Sequence, residues 1–475
     1  MRKSELRLVA AFRREVYDWR LWLERTVVVS AAVVAGLTVV GFTWLCEWTL
    51  SLFHRLEGAH AWSPLLWTPL CLATVVWLTR RYVPRIAGSG IPQVMAALDP
   101  ACSADQRSGF VSMKLTLAKI PLTALGLLGG LSLGREGPSV QIAAGVMHAA
   151  RRWLPARSSV TPQGLLLAGG AAGIAAAFNT PLAGVMFAIE ELSRSPEQRN
   201  SGIVVAAIVL AGLVAVSIDG NGTYFGVIHV GTIDTSLLWP GLLTALASGA
   251  AGGLFARLVI ASLSGKSRDV FTRWRHARPV VFAAGCGLAL ALIGLVNQGS
   301  TFGSGYGYTR TMLDGRAVAP PEFALFKFIA TWITTWSGAP AGIFAPSLSI
   351  GAAIGNDIGL LTHHAPVVLM ALGMAGFLAA ATQAPLTAFI IVMEMVDGHA
   401  MVLSLMASAY IASGVARMLS KPLYPSLALQ YLAQLPPAQT PQTPQTPRPP
   451  PPAAPADPPP ADPPFLPPDI SPPRS

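Results

Sequence analysis

Apolar runs of bilayer length recur along the whole chain, and no other feature constrains its folding as much. Val27–Leu45, Leu65–Leu78, Leu115–Leu133, Ile203–Ile218, Val280–Val296 and Val402–Ala416 reach or approach the roughly 20 residues a helix needs to cross the hydrocarbon core. Only 12% of the 475 residues are charged and 52% are hydrophobic, about half the charge of an ordinary soluble domain. The alternating ten-residue pattern of a membrane β-barrel is absent. The expected fold class is therefore an all-α polytopic membrane protein.

Other apolar stretches, above all 161–193 and 336–396, are short and interrupted by Gly and Pro. Broken helices persist at membrane depth only where the freed backbone faces protein or a watery cavity. Such segments in both halves of a chain point to a binding site near the midplane. The halves also resemble each other. Gly134–Ile142 (GREGPSVQI) matches Gly342–Ile350 (GIFAPSLSI), with Pro138 and Pro346 separated by 208 residues; Ala177–Leu182 (AFNTPL) matches Ala381–Leu386 (ATQAPL), with Pro181 and Pro385 separated by 204. Two nearly equal offsets in the same order imply an internal repeat. The expected organisation is a cytosolic N-terminal helix over 1–25, a first membrane repeat over 26–218, a second over 219–435, and a disordered Pro-rich tail over 436–475.

The net charge of +10 raises nucleic acid as a partner only for a soluble protein. Here Arg2, Lys3, Arg7, Arg13, Arg14, Arg20 and Arg25 crowd ahead of the first span, as the positive-inside rule expects of a cytosolic N-terminus. That start is too charged for a cleaved signal peptide. Cys46, Cys71, Cys102 and Cys286 show no CxxC spacing, so neither a disulfide framework nor a metal site is expected. The catalytic signatures HExxH and GxSxG are missing, as are paired carboxylates placed to flank a scissile bond. A transporter is expected rather than an enzyme, with no cofactor.

Three Gly/Pro clusters stand at expected helix starts: Gly88–Pro92 (GSGIP), Gly134–Pro138 (GREGP) and Gly342–Pro346 (GIFAP). A helix N-terminus presents unpaired N–H groups and about half a positive charge, Pro suits the first turn, and Gly lets backbone approach a ligand. Any one cluster alone reads as a tight interhelical turn. Three of them, in a membrane protein with a repeat, favour an anion site that binds without a full countercharge and so can also release.

These clusters, with Tyr424 in Lys421–Tyr424 (KPLY), resemble the CLC family of chloride channels and chloride/proton antiporters, in its bacterial form without CBS domains. The resemblance covers about residues 30–430. It implies a homodimer with one pore per subunit, each subunit made of two inverted-topology repeats of tilted and broken helices. It implies an integral protein of the bacterial inner membrane with both termini cytosolic, and chloride and protons as its cargo. By motif position, the hydroxyls of Ser89 and Tyr424 flank the central anion, and the backbone N–H groups of Ile343 and Phe344 complete the site. Gly90, Ile91, Arg135, Glu136 and Gly137 fall in the same chloride-binding set. Ser89 would otherwise be a helix cap, and Tyr424 an interfacial aromatic.

Glu136 is a carboxylate at membrane depth, which by default marks function. A bridge to Arg135 is the alternative, although adjacent residues seldom face each other on a helix. The resemblance makes Glu136 the gate, an anion mimic released by protonation. Glu191 matches the inner proton-transfer carboxylate of the antiporters and favours exchange; a passive chloride channel of the same fold is the alternative. Lys119 matches a buried family lysine. Glu190 and Glu394 occupy equivalent repeat positions, with no role assigned to Glu394. Gln93 stands where some antiporters carry Glu.

Overall fold

A computed structural model of the chain describes residues 18–435, apart from 157, 194–201, 221, 227, 229–234, 266–268 and 365. The Pro-rich tail and most of the expected N-terminal helix lie outside the described residues.

The first half holds α1 (Trp19–Ala59), α2 (Pro64–Tyr82), α3 (Ile91–Leu98), α4 (Ala104–Ser108), α5 (Met113–Leu128), α6 (Glu136–Ala149), α7 (Pro162–Phe178), α8 (Pro181–Phe187) and α9 (Gly202–Asp219). The second holds α10 (Leu238–Ser264), α11 (Val270–Ala277), α12 (Pro279–Val296), α13 (Tyr306–Leu313), α14 (Phe323–Ser337), α15 (Phe344–Thr362), α16 (Pro366–Thr382), α17 (Pro385–Met395), α18 (Val402–Leu419) and α19 (Leu423–Ala433). Among the described residues, seven helical stretches of 18 residues or more are long and apolar enough to cross a membrane. The protein is an all-helical integral membrane protein. The helix α1 is capped by Asp18, whose side chain accepts from the Arg20 N–H at 3.0 Å, and runs unbroken for 41 residues. At 1.5 Å per residue it is about 60 Å long, twice the hydrocarbon thickness, so it must tilt or protrude. No break falls at residue 25, where the sequence suggests a change from surface helix to membrane body.

The repeat is visible in the packing. The most extensive helix–helix packing is α15 against α16 and α6 against α7, which are equivalents at the offsets read from the sequence. Small residues make the approach possible, as in other membrane helices. A Cβ on Gly173 would lie 2.6 Å from the Ser139 carbonyl, and one on Gly169 would lie 2.7 Å from that of Ala143. In the second half, Gly351 and Gly373 abut so closely that neither has room for a side chain. Both α7 and α16 stop at a residue in the left-handed region, Asn179 (φ 58°) and Gln383 (φ 62°). Each is followed by Thr-Pro or Ala-Pro, which starts a shorter helix, α8 or α17. The interruptions seen in the sequence are thus true helix breaks.

The two halves also exchange hydrogen bonds. The carboxylate of Glu190 accepts from the N–H groups of Leu386 (3.1 Å) and Thr387 (2.6 Å) in the first turn of α17. The carboxylate of Glu394 accepts from Leu182 (3.2 Å) and Ala183 (2.7 Å) in the first turn of α8. Each carboxylate stands at the positive end of the other half's helix, where negative charge is favoured. Glu394, unassigned from sequence, is one arm of this reciprocal clamp.

Candidate anion and proton site

The three Gly/Pro clusters converge. Gly134 and Gly342 form an antiparallel bridge, the N–H of Gly134 donating to the Gly342 carbonyl at 2.8 Å and the return bond being 3.1 Å. A Cβ on Gly342 would lie 2.5 Å from the Gly134 carbonyl oxygen, so only glycine allows this contact. The first cluster joins through the Gly88 N–H, which donates to the Ala339 carbonyl at 3.0 Å. Gly90, at φ +110°, packs against the second cluster: a Cβ there would lie 2.6 Å from the Gly137 carbonyl. A Cβ on Gly137 would in turn overlap the Ser89 hydroxyl. Helices α3, α6 and α15 therefore begin at one point in the fold.

Glu136 opens α6 and is fully buried. Its Oε2 accepts from the Ala345 N–H, in the first turn of α15, at 3.4 Å, and lies against Gly134. A carboxylate here occupies the positive end of a helix, as a bound anion would. Ile343 and Phe344 lead into α15; their amides belong to the set that helix geometry leaves without intrahelical acceptors. Ser89 and Tyr424 are buried, their hydroxyls are close enough to interact with each other, and neither makes a hydrogen bond of ordinary geometry among the described residues. Buried hydroxyls are normally satisfied, so this pair marks a place for a polar guest. Tyr424, on α19, stacks on the Phe344 ring with centroids 6.0 Å apart and an 11° tilt. It lies within interaction range of Ser89, Glu136 and Glu191.

Arg135 does not bridge to Glu136. Its guanidinium donates to Glu47 Oε1 at 2.8 Å, to the Tyr224 hydroxyl at 3.2 Å and to the Thr43 carbonyl at 3.3 Å. Arg135, Glu47, Tyr224 and Tyr306 line two cavities, of about 760 and 330 Å³. Glu47 was missed from sequence, although a lone carboxylate within an apolar run is itself a signal.

Glu191 reaches the site from the side of Phe344 and Tyr424. The chain leaves α8 through a wide π-type turn, Ala188–Leu192, which places Glu190 in the clamp while Glu191 borders a narrow void with Phe187, Phe344 and Thr387. That void has no room for a whole water molecule. The two adjacent glutamates thus have different surroundings, as their helical spacing implies.

Two lysines stabilise the loops. Lys119 donates to the carbonyls of Ile86 (2.8 Å) and Gly88 (2.7 Å). Lys327 donates to those of Thr301 (2.9 Å) and Gly303 (2.8 Å). The Gly303–Gly305 turn (GSG) before α13 is thus the second-half counterpart of Gly88–Gly90, a match of three letters that sequence reasoning passed over. Gln93 folds back on its own turn: its Oε1 accepts from the Gly90 N–H at 3.0 Å and its Nε2 donates to the Ala87 carbonyl at 2.6 Å. An ionised glutamate could not make the second bond.

Two pseudo-equivalent halves whose broken helices meet around a buried carboxylate and two buried hydroxyls form the site type of an ion-transporting membrane protein. Residues 71–417 match the family described as voltage gated chloride channel. The chain is 31% identical over 429 residues to the H(+)/Cl(−) exchange transporter ClcA of Cronobacter sakazakii, covering 85% of this chain and 88% of that protein. The transporter of the same name from Citrobacter koseri is 30% identical over 439 residues, covering 86% and 89%. Among solved structures, a slow cyanobacterial Cl−/H+ antiporter superposes with a TM-score of 0.74 at 25% identity, covering 87% of this chain and 98% of the other. A CLC-type fluoride/proton antiporter shares the fold, with a TM-score of 0.70 at 21% identity over 86% and 98%. The chain belongs to the CLC family of voltage-gated chloride channels and their exchanger relatives.

Proposed function

We propose that this protein is a chloride/proton exchanger in which Glu136 is the shared gate. The observation that carries this reading is the seat of the Glu136 carboxylate at the first turn of α15, against the Ala345 N–H. A chloride ion and this carboxylate would compete for the same helix end. Protonation removes the negative charge that holds the side chain there, frees the seat for chloride, and links the two binding events reciprocally. Ser89 and Tyr424 would receive the next ion with their hydroxyls, beside the amides of Ile343 and Phe344. Gly90, Ile91 and Gly137 contribute close backbone, and Arg135 contributes its fixed positive charge at the entrance.

Exchange requires a second proton station away from the anion path. Glu191, across the narrow void from Phe344, is that station. The void must widen before water can bridge it, so proton passage is gated at this point. The names and folds of the relatives support exchange over the passive channel. The protein works without a cofactor, as a transporter in the bacterial inner membrane with both termini in the cytosol. It functions as a homodimer with one pore per subunit. Exposed apolar residues on α9 and α18, among them Leu213, Leu403 and Met418, supply surface for lipid or a second copy.

The test is Glu136→Gln in reconstituted liposomes. The amide keeps the shape but carries neither charge nor transferable proton. Chloride flux should persist while chloride-driven proton movement disappears. Proton movement that survives the substitution would remove Glu136 from the gate.

A further inference from the structure

A further cavity, of about 400 Å³, shares no lining residue with the anion site. One wall is the face of α1 that carries Val27, Ala31 and Val34, positions that recur at helical spacing. The opposite wall is the end of α6, with Val146 and Ala149. At its rim, directly after α6, stand Arg152 and Trp153. The Arg152 guanidinium lies over the indole ring at 4.3 Å from its centroid, and both residues are exposed.

We propose that this groove is a binding site for one anionic phospholipid, with an acyl chain along the α1/α6 wall and the headgroup phosphate on Arg152. Three observations support that occupant. The walls are mostly apolar, and the α1 wall belongs to a helix long and apolar enough to cross the bilayer, so the guest meets hydrocarbon. The rim belongs to a basic and aromatic belt. Arg20 lies over Trp19 and Arg25 over Trp22, at 5.8 and 5.7 Å, while Arg151, next to Arg152, and Lys114, next to the lining residue Met113, are exposed. Trp and Arg together mark the headgroup level of a membrane. The carboxylates that could cancel this charge on the first turns of α1 are engaged. Asp18 caps the helix, and Glu24 is buried and accepts from the N–H and hydroxyl of Ser159. A zwitterionic lipid would fill the groove equally well but would leave Arg152 without a net anionic partner.

The experiment is native mass spectrometry of the full-length protein in detergent, titrated with phosphatidylglycerol or phosphatidylcholine. Wild type should retain one phosphatidylglycerol several-fold more tightly than phosphatidylcholine. One basic residue beside an anionic headgroup contributes on the scale of a fivefold change in affinity. Arg152→Gln should therefore weaken phosphatidylglycerol about fivefold and leave phosphatidylcholine unchanged. Ser30→Trp, at an exposed groove position, should block both lipids while the protein stays folded and chloride flux persists. Equal retention of the two lipids by wild type, or unchanged phosphatidylglycerol binding in either variant, would overturn the proposal. So would phosphatidylglycerol binding that begins only after deletion of residues 1–17, because the N-terminal segment would then be the occupant.

Discussion

The reciprocal clamp of Glu190 and Glu394 yields a prediction whose size follows from its geometry. Replacing Glu394 by Gln leaves one oxygen for two N–H groups, those of Leu182 and Ala183, and turns an NH₂ donor toward the other. Hydrogen bonds to charged groups contribute about 1.5–3 kcal/mol. The Ala183 bond, at 2.7 Å with a buried donor residue, takes that range. Leu182 is 48% exposed, so water replaces much of its bond, leaving about 0.5–1 kcal/mol. Loss of charge at the helix terminus removes roughly another 0.3–1 kcal/mol. The expected cost of Glu394→Gln is then about 1–3 kcal/mol, since one bond survives. Glu190→Gln, with bonds of 3.1 and 2.6 Å, should cost a similar amount. For a chain this long, about 2 °C per kcal/mol gives a drop of roughly 2–6 °C in thermal unfolding in detergent at fixed scan rate. Because α8 and α17 pack on each other, the double variant should deviate from the sum of the singles by at least about 0.5 kcal/mol. Single variants that melt within about 1 °C of wild type would refute the clamp as a stabilising device. A structural role alone leaves ion coupling intact, so a changed proton-to-chloride ratio in Glu190→Gln, beside Glu191, would report that the clamp also sets the proton station.

Two further outcomes follow from the anion site. Tyr424→Ala removes one of the two buried hydroxyls and the ring that stacks on Phe344; calorimetry should show weaker chloride binding and flux assays looser proton coupling, and unchanged affinity would take Tyr424 out of the site. Gly342→Ala places a methyl 2.5 Å from the Gly134 carbonyl oxygen and must break the bridge that joins the two halves; folded protein with chloride affinity within about twofold of wild type would show that the bridge does not position the site.

What the sequence revealed, and what it hid, have a common physical cause. Apolar runs, helix-start clusters and the carboxylate Glu136 are local signals, and the helices and their N-termini lie where those signals put them. The repeat was legible because Gly and Pro at helix breaks resist substitution by other residues. The clamp was not legible. Glu190 bonds Thr387 across 197 residues and Glu394 bonds Ala183 across 211, so neither partner can be read from neighbouring letters. Lys327 and the Gly303–Gly305 turn went unrecognised for the same reason, although Lys119 and Gly88–Gly90 provided the template. Arg135 illustrates the converse. Its sequence neighbour Glu136 is the obvious partner, but the guanidinium turns to Glu47, 88 residues earlier in the chain. Hydropathy also understates α1, because the end of its apolar run does not end the helix.

The central claim is obligatory exchange, and the zero-current voltage of liposomes carrying the purified protein tests it most directly. Glu191 and Phe344 line a void too narrow for water, and the proposed cycle uses Glu136 and Glu191 as separate proton stations. If both serve one cycle, chloride and protons move in fixed ratio and opposite directions. With a proton gradient imposed at fixed chloride, the zero-current voltage should depart from the chloride equilibrium potential and shift with the pH difference. A proton gradient alone should drive chloride uphill. In Glu191→Gln the voltage should return to the chloride value while chloride still flows. Unmutated protein that reverses at the chloride potential under every pH gradient would contradict exchange and make the protein a channel.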